Sequence, residues 1–288
     1  MASVTPKLSQ YKVLMFDVYG TLVDWETGIM TALQPIVAGT SLESKSEALR
    51  AFENVETDLQ ARYPSMRYSE LLAHTHAELD ARLRGQGTVP EPGSEGGSTQ
   101  TAVQAGTKEV GSTEVGTSAS AQNTEETDGH VAFGKSIANW PVFPDTIPAL
   151  EYLSKHFRLT VLSNVDRASF AATQRALEGP PDGRRFAFSA VYTAEDAEFY
   201  KPDPRARQYA LRRVEEELSV KSDEVMVVAN SVFHDVMPAR KMGLGTAWIE
   251  RKGSVIGHDQ EEGAKATFRF STLGEMAEAL KREVGESS

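Results

Sequence analysis

The 288-residue chain contains no cysteine. Disulfides, thiolate metal sites and cysteine nucleophiles are therefore excluded. The chain also lacks an excess of basic residues, because 30 Lys and Arg stand against 41 Asp and Glu, for a formal net charge of -11. Nucleic acid is therefore not an expected partner, since phosphate recognition requires clustered Lys and Arg.

Long apolar runs are missing as well. No stretch reaches the roughly 20 residues needed to cross a bilayer, and residues 1–7 lack the apolar core of a signal peptide. We therefore expect a soluble, cytoplasmic protein that does not bind membranes. The oligomeric state is left open, and a homodimer is one alternative.

Residues 85–129 contain almost no large apolar side chain and are rich in Gly, Ser, Thr, Glu and Gln. Such a segment buries too little apolar surface to offset the entropy that ordering would cost. We predict a flexible, low-complexity surface insertion here. A regulatory or partner-binding loop is the alternative interpretation.

The rest of the chain predicts an α/β fold with a doubly wound parallel sheet. Short apolar runs typical of strands buried on both faces occupy residues 12–16, 159–164, 190–192, 224–230 and 245–249. Helical patterns separate the strands from the second onwards, which is typical of a parallel sheet. Before the second strand, amphipathic patterns predict helices over residues 25–38, 44–63 and 68–83. Helices in that place indicate an inserted helical unit.

Polar side chains follow four of the predicted βα junctions. They are Asp17, Ser163 with Asn164, Lys201, and Asn230 to Asp235. The carboxyl ends of parallel strands meet at one edge of a sheet, so these side chains are expected to converge. Each has a simpler explanation on its own, as a helix cap or a solvated charge. Their occurrence together favours a functional site.

These segments resemble, in order, the four sequence motifs of the haloacid dehalogenase superfamily. The matching stretches are Phe-Asp-Val-Tyr-Gly-Thr-Leu at 16–22, Ser-Asn at 163–164, Tyr-Lys-Pro-Asp at 200–203 and Ala-Asn-Ser-Val-Phe-His-Asp at 229–235. The resemblance implies a Rossmann-like core with an inserted helical cap. The implied division is a core over residues 1–23 and 141–288, a helical cap over 24–84 and 130–140, and the insertion over 85–129.

Two positions distinguish the chain from the magnesium-dependent phosphotransferases of that superfamily. Those enzymes carry an Asp two residues after the nucleophile and acidic metal ligands in the fourth motif, where this chain has Tyr19 and Asn230. Magnesium prefers carboxylate oxygens, so no metal and no cofactor are expected. The pattern resembles the L-2-haloacid dehalogenase branch, in which the leaving halide needs no general acid.

The resemblance implies that Asp17 displaces halide from a small anionic 2-haloacid and forms an ester. Asp235 would assist the water that hydrolyses this ester, and Lys201 would keep Asp17 ionised. The residues expected to orient Asp17 and bind the substrate are Thr21, Ser163, Asn164 and Asn230.

The chain also departs from that branch. The arginine of the branch's helical cap has no counterpart in residues 52–54, and Arg50 lies about one helical turn away. The changed fourth motif and the low-complexity insertion resemble eukaryotic, particularly fungal, relatives. His234 faces the pocket in one interpretation and is packed or solvated in another. Two alternatives stay open: a phosphatase or other hydrolase acting on a metabolite, and a catalytically quiet binding member.

Overall fold

The computed structural model describes residues 6–64, 66–85, 128–257 and 259–286. Six parallel strands form its central sheet, and their order is β3-β2-β1-β4-β5-β6. They are β1 (Val13–Phe16), β2 (Arg158–Ser163), β3 (Ala190–Thr193), β4 (Val225–Ala229), β5 (Gly245–Ile249) and β6 (Phe268–Phe270). The predicted α/β class with a doubly wound parallel sheet is confirmed.

Strand β1 lies at the centre of the sheet because both of its faces and both of its edges are covered. All four of its residues are buried, and it pairs with β2 on one side and β4 on the other. The chain proceeds outward from β1 through β2 to β3, then returns to the other side at β4. This reversal of strand order leaves a crevice beyond the carboxyl end of β1, where open α/β sheets bind ligands.

Helices α1 to α5 lie between β1 and β2 in the chain, and the others follow β2 and the later strands. Their bounds are α1 (Trp25–Val37), α2 (Lys45–Arg62), α3 (Tyr68–Leu83), α4 (residues 128–135), α5 (Thr146–Leu153), α6 (Arg167–Glu178), α7 (Ala194–Ala197), α8 (Pro204–Leu218), α9 (Met237–Lys241), α10 (Gln260–Gly263) and α11 (Leu273–Val284). Within the described ranges, none of these helices has both the length and the apolar character needed to cross a membrane.

The division into core, helical cap and insertion stays a prediction. Most of the predicted insertion, residues 86–127, lies outside the described residues. Helices α1, α2 and α3 pack against one another and contribute to a buried apolar cluster that also contains residues of β1 and β2. The predicted inserted helices are therefore attached to the sheet through a shared core.

The structure differs from the sequence-based prediction at three kinds of element. The apolar-run pattern does not indicate β6, because this edge strand has only three residues, with an exposed Arg269 between two partly buried phenylalanines. Helices α7 and α10 are single turns of four residues each. A π-helical turn over Val232–Val236 precedes α9 and buries the side chain of Asp235. Such turns often occur at functional sites.

Candidate active site

Asp17 follows β1 directly, and its side chain is held through both carboxylate oxygens. Oδ2 accepts a hydrogen bond of 2.6 Å from the Thr21 hydroxyl, and Oδ1 lies 2.8 Å from Nζ of Lys201. The Thr21 hydroxyl accepts in turn from the backbone N–H of Asn230 at 2.8 Å. Gly20 lies in the turn that brings Thr21 back to Asp17. Its φ of 94° is a backbone conformation that glycine adopts readily and other residues rarely adopt.

Lys201 connects Asp17 to a second buried carboxylate. Its Nζ lies 2.9 Å from Oδ2 of Asp235, and Oδ1 of Asp235 lies 2.8 Å from Nη2 of Arg207. We call Asp17, Lys201, Asp235 and Arg207 the charge network. It contains two carboxylates and two cations, all buried, so its formal charges cancel. Buried charges are tolerated when they are paired and hydrogen-bonded in this way.

Arg207 is the member of the network that the sequence prediction does not include. It lies on α8 and is 1% exposed. Its spacing of three and seven residues from the buried Ala210 and Val214 puts it on the apolar face of that helix. This spacing is the sequence signal that could have separated Arg207 from the other arginines of α8.

The pKa values of Asp17 and Lys201 are both displaced upward. Burial raises the pKa of Asp17, and the charge of Asp235 raises it further, while Lys201 and Thr21 act in the opposite direction. Burial lowers the pKa of Lys201, but its contacts with Asp17 and Asp235 outweigh burial and leave the pKa above its ordinary value. Lys201 is therefore protonated at neutral pH and supplies a charge beside Asp17.

Ser163 and Asn164, at the end of β2, have different surroundings. The Ser163 hydroxyl is buried and has no hydrogen-bond partner among the described residues. The Asn164 amide makes two hydrogen bonds to the backbone of Lys201: Nδ2 donates to the carbonyl at 2.9 Å, and Oδ1 accepts from the N–H at 2.6 Å. Asn164 thus fixes the main chain that carries Lys201, and Ser163 retains an unused hydroxyl.

Asn230 connects the ends of β4 and β5. Its side-chain Nδ2 donates to the carbonyl oxygens of Ile249 and Glu250, at 2.9 and 3.0 Å. Its main-chain carbonyl oxygen accepts from the indole N–H of Trp248 at 2.9 Å. Its N–H also donates to the Thr21 hydroxyl, so Asn230 helps to fix the residue that orients Asp17. It also borders the cavity described below.

Helix caps do not account for the predicted site residues. The side chain that caps the N-terminus of α1 is Asp24, that of α6 is Asp166, and that of the π-helical turn is Ser231. The cap explanation is therefore wrong for Asp17 and for Ser163, which leaves their side chains for other contacts.

Tyr19 occupies the position two residues after Asp17. Its hydroxyl lies 3.0 Å from Oγ1 of Thr173, and its ring meets Trp140 edge-on at 5.4 Å between centroids. Burial raises the pKa of Tyr19 well above its ordinary value. The phenol therefore keeps its proton and is held by Thr173.

A cavity of about 360 Å³ opens at this network. Asp17, Ser163, Lys201 and Asp235 line it, whereas Thr21 and Arg207 do not. Its aromatic lining consists of Tyr19, Trp25, Tyr68, Trp140 and Phe233, and α2 contributes Glu53, Glu56, Thr57 and Gln60. Among the described lining residues, Lys201 is the only Lys or Arg.

His234 and Arg50 settle two points that the sequence leaves open. His234 lines the cavity, with Nδ1 3.0 Å from the Ser231 hydroxyl. Burial lowers the pKa of His234, so the ring is neutral at neutral pH. Arg50 is exposed and does not line the cavity, so it does not replace the missing arginine.

The fold is a parallel α/β sheet whose central strand is followed by a buried carboxylate, Asp17, with the ammonium group of Lys201 beside it. A family model described as haloacid dehalogenase-like hydrolase matches residues 11–243, and the chain belongs to this family. The predicted membership is confirmed. Among characterised relatives, (S)-2-haloacid dehalogenase 4A of Burkholderia cepacia is 29% identical over 147 residues, which are 51% of this chain and 58% of that enzyme. The match therefore spans little more than half of the relative.

Solved structures resemble the chain over nearly its whole length. L-2-haloacid dehalogenase from Xanthobacter autotrophicus with chloropropionic acid covalently bound has a TM-score of 0.62 and 18% identity, covering 94% of this chain and 98% of that one. The magnesium-bound HAD-hydrolase YfnB from Bacillus subtilis has a TM-score of 0.60 and 16% identity, covering 94% and 99%. At such low identities these similarities show the fold alone.

Proposed function

We propose that the protein is a metal-independent hydrolase in which Asp17 displaces halide from a 2-haloacid and forms an ester. The observation that carries the proposal is the setting of Asp17, at the cavity, with one oxygen on Lys201 and the other on Thr21. Its +2 neighbour is a tyrosine that Thr173 holds rather than a carboxylic acid. Such a site supplies a fixed nucleophile but no carboxylic acid to protonate a leaving oxygen. It therefore suits a leaving group that departs as an anion.

In the first step an oxygen of Asp17 attacks the halogen-bearing carbon from the side opposite the halogen. The new carbon–oxygen bond forms as the carbon–halogen bond breaks, and halide leaves with the bonding electron pair. Lys201 orients the attacking carboxylate and stabilises its ionised form. The unpartnered hydroxyl of Ser163 is available to donate to the substrate carboxylate.

In the second step water attacks the carbonyl carbon of the Asp17 ester. Asp235 takes a proton from the water and returns it to the departing alkoxide, so the product is a 2-hydroxyacid and Asp17 regains its carboxyl group. Lys201 and Arg207 occupy one acceptor site on each oxygen of Asp235. A carboxylate offers about four such sites, so Asp235 retains capacity for the water.

The remaining predicted residues take supporting roles in this proposal. Thr21 is fully buried and does not line the cavity, so it orients Asp17 and does not touch substrate. Asn164 fixes the backbone of Lys201, and Asn230 fixes Thr21. Asn164 and Asn230 also line the cavity, where a substrate would meet them.

Magnesium, which many members of the superfamily use, does not fit these residues. It requires several oxygen ligands in near-octahedral geometry. The oxygens of Asp17 and Asp235 are engaged by cations and by Thr21, and the Asn230 amide turns its nitrogen to two carbonyls. Among the described residues no group of three or more His, Asp or Glu is placed to hold a metal ion. The proposed reaction has no metal-dependent step.

A single turnover in oxygen-18 water tests the ester. Excess protein is mixed with (S)-2-chloropropionate, and the peptide that contains Asp17 is analysed by mass spectrometry. Attack of water on the ester carbonyl places the heavy oxygen in Asp17, and the product is (R)-lactate, because the displacement inverts the carbon. Label in the lactate hydroxyl with none in Asp17 would show direct attack by water and refute the proposal.

Two controls address the alternative functions. Turnover that survives EDTA, with no activity on phosphate esters, excludes a magnesium-dependent phosphatase. Asp17→Asn should abolish turnover of haloacids. If the wild-type protein binds such acids but turns none over, a catalytically quiet binding role replaces the proposal.

A further inference from the structure

One wall of the cavity is a stripe of α2. It consists of Glu53, Glu56, Thr57 and Gln60, whose spacing of three, one and three residues places them along one face of the helix. We call this set the acidic stripe. The Tyr68 hydroxyl, on α3, donates a hydrogen bond of 2.8 Å to Oε1 of Glu56. The stripe is therefore part of a packed wall between two helices.

The charge of the acidic stripe is not balanced by the rest of the cavity. Lys201 is already matched within the charge network, and His234 is neutral because burial lowers its pKa. Burial raises the pKa of Glu56 to about 7, and Glu53 adds to this. Burial likewise raises the pKa of Glu53, and the exposed Arg50 opposes this only as the smallest of three influences. A cation bound in the cavity would stabilise the ionised forms of Glu53 and Glu56.

Aromatic rings line the same cavity as the two glutamates. Trp25, Tyr68, Trp140 and Phe233 line the same cavity. The faces of Trp, Tyr and Phe attract cations within about 6 Å, and ammonium groups are commonly held by such rings together with carboxylates. The chemistry of this wall therefore matches a protonated amine and opposes a carboxylate.

A second, independent feature belongs to the same cavity. The Ser163 hydroxyl is 1% exposed, lines the cavity and has no hydrogen-bond partner among the described residues. A buried polar group without a partner is destabilising, and a ligand that accepts a hydrogen bond from it removes this cost. The cavity that Asp17 lines thus contains an unsatisfied donor, the Ser163 hydroxyl, and the carboxylates of α2.

We infer that the substrate is a 2-haloacid with a protonated amine at the end remote from the halogen, and that Glu53 and Glu56 bind this amine. The reacting end rests on the proposed function, whereas the amine subsite rests on the acidic stripe and the aromatic lining. The cavity of about 360 Å³ lies in the range of about 300–1,000 Å³ typical of sites for larger ligands. A three-carbon haloacid would leave much of it unfilled.

Two substrates of equal length separate amine recognition from apolar burial. 2-Chloro-6-aminohexanoate ends in an ammonium group where 2-chloroheptanoate has a methyl group. The full chain should prefer the amine by about tenfold in kcat/KM, the size expected of a charge-assisted bond. The double variant Glu53→Gln, Glu56→Gln should bring this ratio close to one. Asp58→Asn removes an exposed carboxylate of the same helix that pairs with Arg62, and should leave the ratio unchanged.

A wild-type ratio of one or less, or a ratio that the double variant does not change, overturns the amine subsite. If the protein turns over neither compound, the proposed reaction fails, and binding decides the subsite separately. Calorimetry then compares 6-aminohexanoate with heptanoate on the wild-type chain. Tighter binding of the amine, lost in the double variant, supports the subsite, and equal or weaker binding overturns it.

Discussion

Replacement of Lys201 by methionine tests whether the charge network is as tightly coupled as its geometry indicates. Methionine keeps an unbranched apolar chain but removes the ammonium that lies 2.8 Å from Asp17 and 2.9 Å from Asp235. The variant retains two buried carboxylates and one buried cation, Arg207. The network then carries a net negative charge in a buried environment.

The expected loss of stability is large. Removing one partner of a buried ion pair costs about 3–5 kcal/mol, because the other charge is left uncompensated. This compares with a total free energy of unfolding of about 5–15 kcal/mol for a typical protein. Lys201→Met should therefore remain folded at low temperature but melt well below the wild type. It should also lose activity, since Asp17 is no longer held in its ionised form.

The loss should depend on pH, and its sign follows from Asp17. Lys201 lowers the pKa of Asp17 against the effect of burial, so in the variant this pKa rises further above that of the unfolded chain. A group with a raised folded-state pKa stabilises the fold below its unfolded pKa, and this contribution is lost as the pH rises through the folded-state value. The difference between variant and wild type should therefore be greatest at neutral pH and shrink towards acid.

Urea denaturation at neutral pH and at mildly acidic pH measures this difference. The matched control is Lys12→Met, because Lys12 pairs with Glu224 and its side chain is 63% exposed. Such surface pairs contribute about 0–1 kcal/mol. If Lys201→Met costs no more than the control, or costs the same at both pH values, the network does not require its lysine and the argument fails.

Three further predictions follow from the same contacts. Because burial raises the pKa of Asp17 and only the carboxylate attacks, kcat/KM should fall on acidification above the pH at which an ordinary aspartate is protonated; a pH profile that stays flat down to that point contradicts this. Arg207→Met should lower kcat about tenfold or more, since it disturbs Asp235, the proposed base, with little change in KM and partial recovery in Arg207→Lys. The Glu26 carboxylate accepts hydrogen bonds from the N–H groups of Val255 and Ile256, at 2.6 and 3.0 Å, and Ile256 lines the cavity. Hydrogen bonds to charged groups contribute about 1.5–3 kcal/mol, so Glu26→Ala should loosen this segment and raise KM about tenfold. Unchanged KM and unchanged hydrogen exchange at Val255 and Ile256 would refute this prediction.

The fold and the base of the site could be predicted because both depend on local patterns. A buried strand followed by a polar residue is visible in the sequence, and the topology of parallel strands then brings such residues to one edge. Asp17, Lys201 and Asp235 meet there, and hydrogen bonds of 2.8 and 2.9 Å join them. Strand β6 was not predicted, because its three residues at the sheet edge bury too little apolar surface to produce an apolar run in the sequence.

The wall of the cavity could not be predicted in the same way. The spacing of Glu53, Glu56 and Gln60 indicates a polar stripe on α2, which in most helices faces solvent. What lies opposite that stripe depends on how α2 packs against α1 and α3 and on where the inserted helices meet the sheet. No local pattern encodes this placement. Arg207 is an intermediate case, since its position on an apolar face is visible but its partner Asp235 is not.

In the two proposals, reactivity and recognition therefore reside in different parts of the molecule. The charge network combines residues that follow β1, β3 and β4 with Arg207 on α8, and its formal charges cancel. In the proposed reaction it holds the nucleophile without supplying a net positive charge. The acidic stripe lies on a helix inserted after β1 and adds negative charge to the same cavity. The residue at Glu53, more than the motif around Asp17, is where we expect the substrate to be chosen.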